Sequence, residues 1–120
     1  MKIAFPTSGE TLDAPFNTTF GRAPKFLIVD TDTGEVRVID NKQNLSAAQG
    51  AGIQSAQHVA QAGAQALVSG HCGPKAFRVL AASGVQVYYT QAMTVADALQ
   101  QFRDGSLQPA QAADVEGHQA

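Results

Sequence analysis

Residues 66–78 read Ala-Leu-Val-Ser-Gly-His-Cys-Gly-Pro-Lys-Ala-Phe-Arg, and the other elements of the chain can be arranged around them. An apolar run of strand length breaks at Gly70. Pro74 suits the first position of a helix, where its missing N–H would have no partner. The pattern predicts a strand, a turn that contains Cys72, and a helix start. Because the amides at a helix N-terminus attract anions, this turn is a candidate anion-binding site.

Length and composition predict one domain with a single core, since the chain has 120 residues of which 44% are hydrophobic. The first twenty residues contain acidic residues and prolines but no long apolar run, so we expect no targeting or membrane segment and a cytoplasmic location. One cysteine cannot form an internal disulfide or a Cys-rich metal site, which fits a reducing compartment. We expect neither a membrane nor a nucleic acid as a partner.

The net charge of -2 is unevenly distributed. Between Asp40 and Asp97 there is no Asp or Glu, whereas Lys42, Lys75 and Arg78 add +3. Such a segment accepts a negatively charged partner. From charge alone, a Gln-rich and Ala-rich stretch with few charges of either sign is an equally good interpretation.

Apolar runs and alternation predict five strands, and helical spacing predicts three helices. The strands are residues 2–7, 25–30, 35–40, 66–69 and 85–89, and the helices begin near Ala51, Pro74 and Val95. Residues 8–24 show no period, and a loop of that length is usually functional or disordered. Phe16 and Phe20 favour a packed loop.

The first helix is expected to bury Ile53, Ala56 and Ala60. His58 then lies on the opposite face, at about 100° per residue. We interpret it as a solvated surface histidine rather than a ligand.

The order of elements predicts an α/β fold in which a five-stranded mixed sheet is flanked by helices and only the second strand is antiparallel. Residues 1–107 form the domain, and residues 108–120, rich in Gln and Ala and without a period, are expected to be a flexible tail. The carboxyl ends of the four parallel strands share one edge, where ligands bind in such folds.

This edge gathers the candidate binding residues. They are Arg22, Gly50, Ala51, Gly52, Gly70, His71, Cys72, Gly73, Pro74, Lys75 and Met93. Cys72 and His71 are also candidate metal ligands, because thiolate and imidazole bind soft and borderline metals. Each has a purely structural interpretation as well: Cys72 as a small buried hydrophobic residue, Met93 as core, and Lys75 as a solvated charge.

Two short motifs suggest other chemistry. The sequence Gly-Ala-Gly at residues 50–52 begins like a dinucleotide fingerprint, but Ser55 stands where the third glycine belongs and no strand precedes it, so we expect no nucleotide. Cys72 and Arg78 have the spacing of a cysteine phosphatase loop, in which a thiolate attacks phosphorus. Against this, Pro74 removes one amide and places Arg78 inside the helix, facing outward. A phosphatase-like enzyme is the alternative function, and an interaction module without a cluster is the third.

Four segments, in this order and spacing, resemble the dinitrogenase iron-molybdenum cofactor biosynthesis family, and the resemblance extends to Leu107. They are Phe-Gly-Arg-Ala-Pro-Lys-Phe at 20–26, Gly-Ala-Gly-Ile-Gln at 50–54, Gly-His-Cys-Gly-Pro-Lys-Ala-Phe at 70–77 and Thr-Val-Ala-Asp-Ala-Leu at 94–99. The resemblance implies a ribonuclease-H-like, three-layer α/β fold without nuclease activity that binds or carries anionic metal–sulfur clusters. For small single-domain members it implies a molybdenum–copper sulfide cluster held without ordinary protein ligation. Another protein would supply or receive the cluster.

A cluster of this kind would be large, polyanionic and soft. Amides at two helix starts, the cations of Arg22 and Lys75, and an apolar contact from Met93 or Phe16 are suited to hold it. Covalent ligands are then optional. We therefore interpret the chain as a cluster-binding protein rather than an enzyme.

Overall fold

A computed structural model describes residues 1–41 and 51–111 of the chain, with five strands and three α-helices in the predicted order. The strands are β1 (Lys2–Thr7), β2 (Lys25–Asp30), β3 (Val36–Asp40), β4 (Ala66–Ser69) and β5 (Gln86–Tyr89). The helices are α1 (Ala51–Gln61), α2 (Pro74–Ala82) and α3 (Val95–Arg103), and a 3-10 turn covers Phe20–Arg22. Within these two ranges, no helix has the length and hydropathy that crossing a membrane requires.

The strands form one sheet in the order β3-β2-β1-β4-β5. Antiparallel ladders join β1 to β2 and β2 to β3, whereas parallel ladders join β1 to β4 and β4 to β5. Only β2 therefore runs against the others, as predicted. With helices on both faces, this is the three-layer α/β arrangement that the family resemblance implied.

Alternate residues of the central strands pack in two separate cores, one on each face of the sheet. Phe26 and Ile28 of β2 pack on the side of α1 and α2, whereas Leu27 and Val29 pack on the side of α3. A sheet covered on both faces needs strands that are apolar at every position, which explains the continuous apolar run in β2. Each such buried side chain contributes roughly 1.5–3 kcal/mol.

The inner face of α1 is rotated from the predicted one. Ser55, Ala56 and Val59 are buried, and the buried serine is paired with Asn41, which is buried as well. His58 is half-buried, with Nδ1 2.9 Å from Oδ1 of Asn41, so its interpretation as a solvated histidine is wrong. Apolar periodicity missed this face because its partners are polar and distant in sequence.

The chain stays folded past Leu107, along the free edge of β5. Pro109 forms a bridge with Tyr88, and the amide of Ala110 donates to the carbonyl oxygen of Val87 at 2.7 Å. This pairing covers a sheet edge that would otherwise expose unpaired backbone groups. Pro109 and Ala110, which were expected to be in the flexible tail, are thus paired with the sheet, and residues 112–120 lie outside the described part.

Candidate functional site

The loop of residues 8–24, here called the edge loop, lies across the carboxyl edge of the sheet. Three isolated bridges tie it to the strand ends and the turns beyond them. They are Thr7–Phe16, Pro15–Thr94 and Thr19–His71. Phe16 and Phe20 are 6% and 2% exposed, each in a different core, so the prediction of a packed loop is confirmed.

A small depression opens where the edge loop meets the starts of α1 and α2. Its lining consists mainly of backbone and small or apolar side chains. The lining residues are Thr19, Phe20, Gly21, Gly52, His71, Cys72, Gly73 and Ala76. The space inside it, counting the solvent above, is about 230 Å³. Three chain segments that are far apart in sequence therefore share one concave surface.

The first turns of α1 and α2 lie side by side at this depression. A Cβ added to Gly52 would lie 3.5 Å from the Cβ of Ala76, which is ordinary van der Waals contact. Neither helix has an acidic residue in its first turn, and within the described ranges no side chain caps the N-terminus of α2 at Gly73. The positive end of α2 thus faces this space beside the first turn of α1, an arrangement that favours a bound anion.

The amides at the start of α2 are available for such an anion. The N–H of Phe77 makes the first bond of the helix, to the carbonyl oxygen of Gly73 at 2.9 Å. The N–H groups of Lys75 and Ala76 precede it and so have no partner within the helix. Pro74 contributes no N–H, as the sequence predicted.

The turn before α2 depends on a glycine for its shape. A Cβ at Gly70 would lie 2.5 Å from the Cβ and 2.7 Å from the carbonyl oxygen of Thr18. The edge loop can cross the turn only because this Cβ is missing. The Ser69 hydroxyl adds a hydrogen bond of 3.0 Å to the carbonyl oxygen of His71, which fixes the far side of the turn.

Cys72 is in the floor of the depression but belongs to the core on the side of α1 and α2. Its side chain is 1% exposed, and its Sγ donates to the carbonyl oxygen of Gly73 at 3.6 Å. His71, next to it, is exposed. In the part of the chain that the structure describes, no three His, Cys, Asp or Glu side chains come together as a set that could hold a metal ion. Apart from His71 and Cys72, the described lining of the depression consists of main chain and of small or apolar side chains.

Four of the predicted site residues line the depression: Gly52, His71, Cys72 and Gly73. Arg22 and Lys75 are exposed, and each is adjacent in sequence to a residue that lines the depression. Met93 is 82% exposed, not core, but its neighbour Val95 packs on the opposite face of the sheet with α3. Gly50 lies outside the described residues. The depression therefore unites the turn, the start of α1 and the Arg22 segment, and it leaves Met93 apart.

Sequence reasoning missed the contribution of Thr19, Gly21 and Ala76 to the lining. The edge loop has no periodicity, so no local pattern shows which of its residues face the turn. Only the bridge between Thr19 and His71 sets this alignment.

An ion pair also links the edge loop to the start of β2. The Lys25 ammonium donates to Oε2 of Glu10 at 2.6 Å. This hydrogen bond, and second the positive charge itself, hold the pKa of the Glu10 carboxyl below its ordinary value. Both groups are accessible to solvent, so the pair contributes little to stability.

The contribution of Glu10 should depend on pH. A carboxyl whose pKa is lowered by folding stabilises the protein above its unfolded pKa, and that contribution disappears as the pH falls through the folded value. We expect Glu10→Gln to lower the melting temperature slightly at neutral pH and to leave it unchanged in strong acid. Glu35→Gln, which removes an exposed glutamate at the opposite edge of the sheet, is the control. A Glu10→Gln difference that persists in strong acid would contradict the ion-pair explanation.

The phosphatase arrangement is not formed around Cys72. That chemistry needs an accessible thiolate with an arginine beside the bound phosphate. The structure buries the thiol, begins α2 at Pro74 and places Arg78 on the exposed face of this helix. The two residues therefore keep the spacing of a phosphatase loop without its geometry.

Comparison with known proteins gives consistent similarities. The family described as dinitrogenase iron-molybdenum cofactor matches residues 1–105. An uncharacterised protein of Methanocaldococcus jannaschii is 32% identical over 111 residues, which are 90% of each chain. The apo form of the orange protein from Desulfovibrio gigas is 37% identical, with a TM-score of 0.91 over 95% of this chain and 96% of that one. A putative NifB protein from Thermotoga is 33% identical, with a TM-score of 0.79 over 90% of this chain and 91% of that one. The chain thus belongs to the dinitrogenase iron-molybdenum cofactor family.

Proposed function

We propose that this protein binds or carries an anionic metal–sulfur cluster, of the molybdenum–copper sulfide type, in the depression between the starts of α1 and α2. The observation that carries this proposal is the pair of acid-free helix starts beside the exposed cations of Arg22 and Lys75. Membership in a family described by the iron-molybdenum cofactor supports a metal cluster as the cargo. Similarity to the orange protein, whose solved structure is of an apo form, supports a domain that takes up a cofactor.

The chemistry of the depression fits a cluster that is held without covalent ligands. A sulfide-covered cluster carries several negative charges, which the helix ends and two cations would balance. Sulfur is a weak hydrogen-bond acceptor, so the apolar side chains of Phe20 and Ala76 in the lining suit it better than they would suit an oxyanion. The main-chain amides of Lys75 and Ala76 supply the donors.

A carrier of this kind would exchange its cluster with another protein, and the single cysteine is consistent with a reducing cytoplasm. The proposal assigns no catalytic residue. The buried Cys72 and the exposed Arg78 support a carrier over the phosphatase-like alternative.

The test is reconstitution of the purified apo-protein with tetrathiomolybdate and a copper(I) salt, followed by removal of unbound metal. We expect a retained charge-transfer colour and a constant ratio of molybdenum to copper to protein. Molybdate with copper is the control, because it has the same metals without sulfide. Loss of all colour and metal on desalting would contradict the proposal. Hydrolysis of a phenyl phosphate that depends on Cys72 would instead support the enzyme.

Replacing Cys72 by serine distinguishes non-covalent binding of the cluster by amides and cations from direct metal ligation by the Cys72 thiolate. The serine hydroxyl keeps a donor for the carbonyl oxygen of Gly73, so we expect a folded protein that is destabilised by about 1–2 kcal/mol. Cluster binding should be reduced but present, since the thiol is one contact among amides and cations. Thermal unfolding and the visible spectrum of the reconstituted variant measure the two effects. A folded but colourless variant would make Cys72 an obligate metal ligand and overturn the non-covalent cradle.

A further inference from the structure

The amide side chain of Asn41 is fully buried at the end of β3, where it holds together parts of two other elements. Its Nδ2 donates to the carbonyl oxygen of Ala23 at 2.8 Å and to the hydroxyl of Ser55 at 2.8 Å. Its Oδ1 lies 2.9 Å from Nδ1 of His58. An amide oxygen can only accept, so the histidine nitrogen donates in this contact.

These bonds connect the two segments that carry opposite walls of the depression. Ala23 directly follows the 3-10 turn Phe20–Arg22, and the backbone N–H of Asn41 also donates to the carbonyl oxygen of Pro24 at 2.9 Å. Ser55 and His58 are on α1, whose first turn brings Gly52 to the lining. The 3-10 turn packs directly against α1. Asn41 therefore sets the distance between the Arg22 segment and the start of α1.

We infer that Asn41 is a positioning residue of the anion site, which holds Arg22 in place relative to the amide end of α1; this inference rests on the proposed cluster-binding function. Buried polar partners that serve only the core can be replaced together by apolar groups of similar shape at little cost. The side-chain amide of Asn41 instead bonds one backbone carbonyl in the Arg22 segment and a serine and a histidine on α1. Residues behind a metal site orient the groups in front of them in the same way. Asn41 itself is not in the lining and does not touch the cargo.

The test is a double-mutant cycle on the affinity for tetrathiomolybdate plus copper(I), measured by titration of the visible absorption. Asn41→Asp keeps an acceptor for His58 but puts an oxygen against the carbonyl of Ala23, so the Arg22 segment must shift. We expect an affinity loss of roughly 10-fold for this variant. We further expect the loss of affinity caused by Arg22→Gln to be much smaller in the Asn41→Asp background than in the wild type. The reason is that an arginine already displaced from the site contributes little to binding.

Lys75→Gln gives the matched control, since Lys75 is on α2, whereas the bonds of Asn41 described above reach the Arg22 segment and α1. The loss of affinity caused by Lys75→Gln should be the same in the wild-type and Asn41→Asp backgrounds. A purely structural role for Asn41 predicts instead that the Arg22 and Lys75 losses are equally unaffected by Asn41→Asp, and that result would overturn the inference.

His58 provides a second cycle should Asn41→Asp not fold. His58→Ala removes the donor to Asn41 and should weaken binding and reduce the Arg22 effect, whereas His58→Asn, which places an N–H near the position of Nδ1, should restore both. Equal behaviour of the two His58 variants would contradict the inference. Failure of the wild-type protein to retain the cluster would overturn the proposed function and this inference together, whereas retention with additive losses would overturn the inference alone.

Discussion

Gly70→Ala should destabilise the protein by about 3 kcal/mol and lower its melting temperature by roughly 10 °C. The added Cβ would meet Thr18 at 2.5–2.8 Å, and two of the three atoms in its way belong to the backbone. The edge loop must therefore move off the turn, which breaks the bridge between Thr19 and His71 and opens one wall of the depression. We expect Gly70→Ala to retain less cluster than the wild type as well as to be less stable. Thermal unfolding and reconstitution of the same sample measure both.

Gly52→Ala is the matched control for this change. A Cβ at Gly52 would make only ordinary contact with Ala76, and alanine is a better helix former than glycine by about 1 kcal/mol. Its stability should be unchanged or higher, while a methyl group in the lining weakens cluster binding. If Gly70→Ala were as stable as the wild type, the close approach of Thr18 would not be what requires a glycine there.

Arg22→Glu should weaken uptake of tetrathiomolybdate plus copper(I) by roughly 10-fold or more at low ionic strength. The reason is Coulombic: the change replaces an attraction to a multiply charged anion by a repulsion, and each pair of unit charges a few Å apart contributes about 1 kcal/mol even in water. Arg22 is exposed, and we do not expect the fold to suffer. Equilibrium titration at two salt concentrations should show the effect shrinking as salt is added.

Arg103→Glu is the control for net charge, since Arg103 is exposed at the far end of α3 from its carboxyl-edge start. Arg37 is a poorer control, although it is also far from the depression, because its guanidinium donates to the carbonyl oxygen of Ala62 at 3.1 Å. Equal losses for Arg22→Glu and Arg103→Glu would attribute the effect to overall charge and would remove Arg22 from the site.

The fold could be predicted to a large extent because its signals are local. The apolar run before Gly70, the proline at the first position of α2 and the capping threonine at Thr94, whose side chain accepts from the amide of Asp97 at 3.1 Å, each act within a few residues. The handedness of crossover connections then orders the strands. These same rules placed Arg22 and the 70–74 turn at one edge, and the bridge between Thr19 and His71 agrees with that placement.

The candidate site was only partly predictable, because it depends on which side of the sheet each residue takes. Met93 follows β5 at the carboxyl edge, as expected, but does not line the depression, and the nearby Ala92 and Val95 pack on the side of α3. No pattern in this stretch of sequence distinguishes the two sides of the sheet. The burial of Cys72 is likewise invisible in sequence, since the same glycine-rich turn would fit an accessible thiol.

The sequence by itself therefore determined the elements, their order and the single reversed strand, because periodicity, glycine and proline act over short distances. Only the tertiary structure decided the lining of the depression, the burial of Cys72 and the buried contacts of Asn41. Those depend on contacts between residues far apart in the chain, such as Gly70 with Thr18 and Asn41 with Ser55. Such contacts follow from how closely whole elements pack, and a polar pair inside the core leaves no hydrophobic period to read.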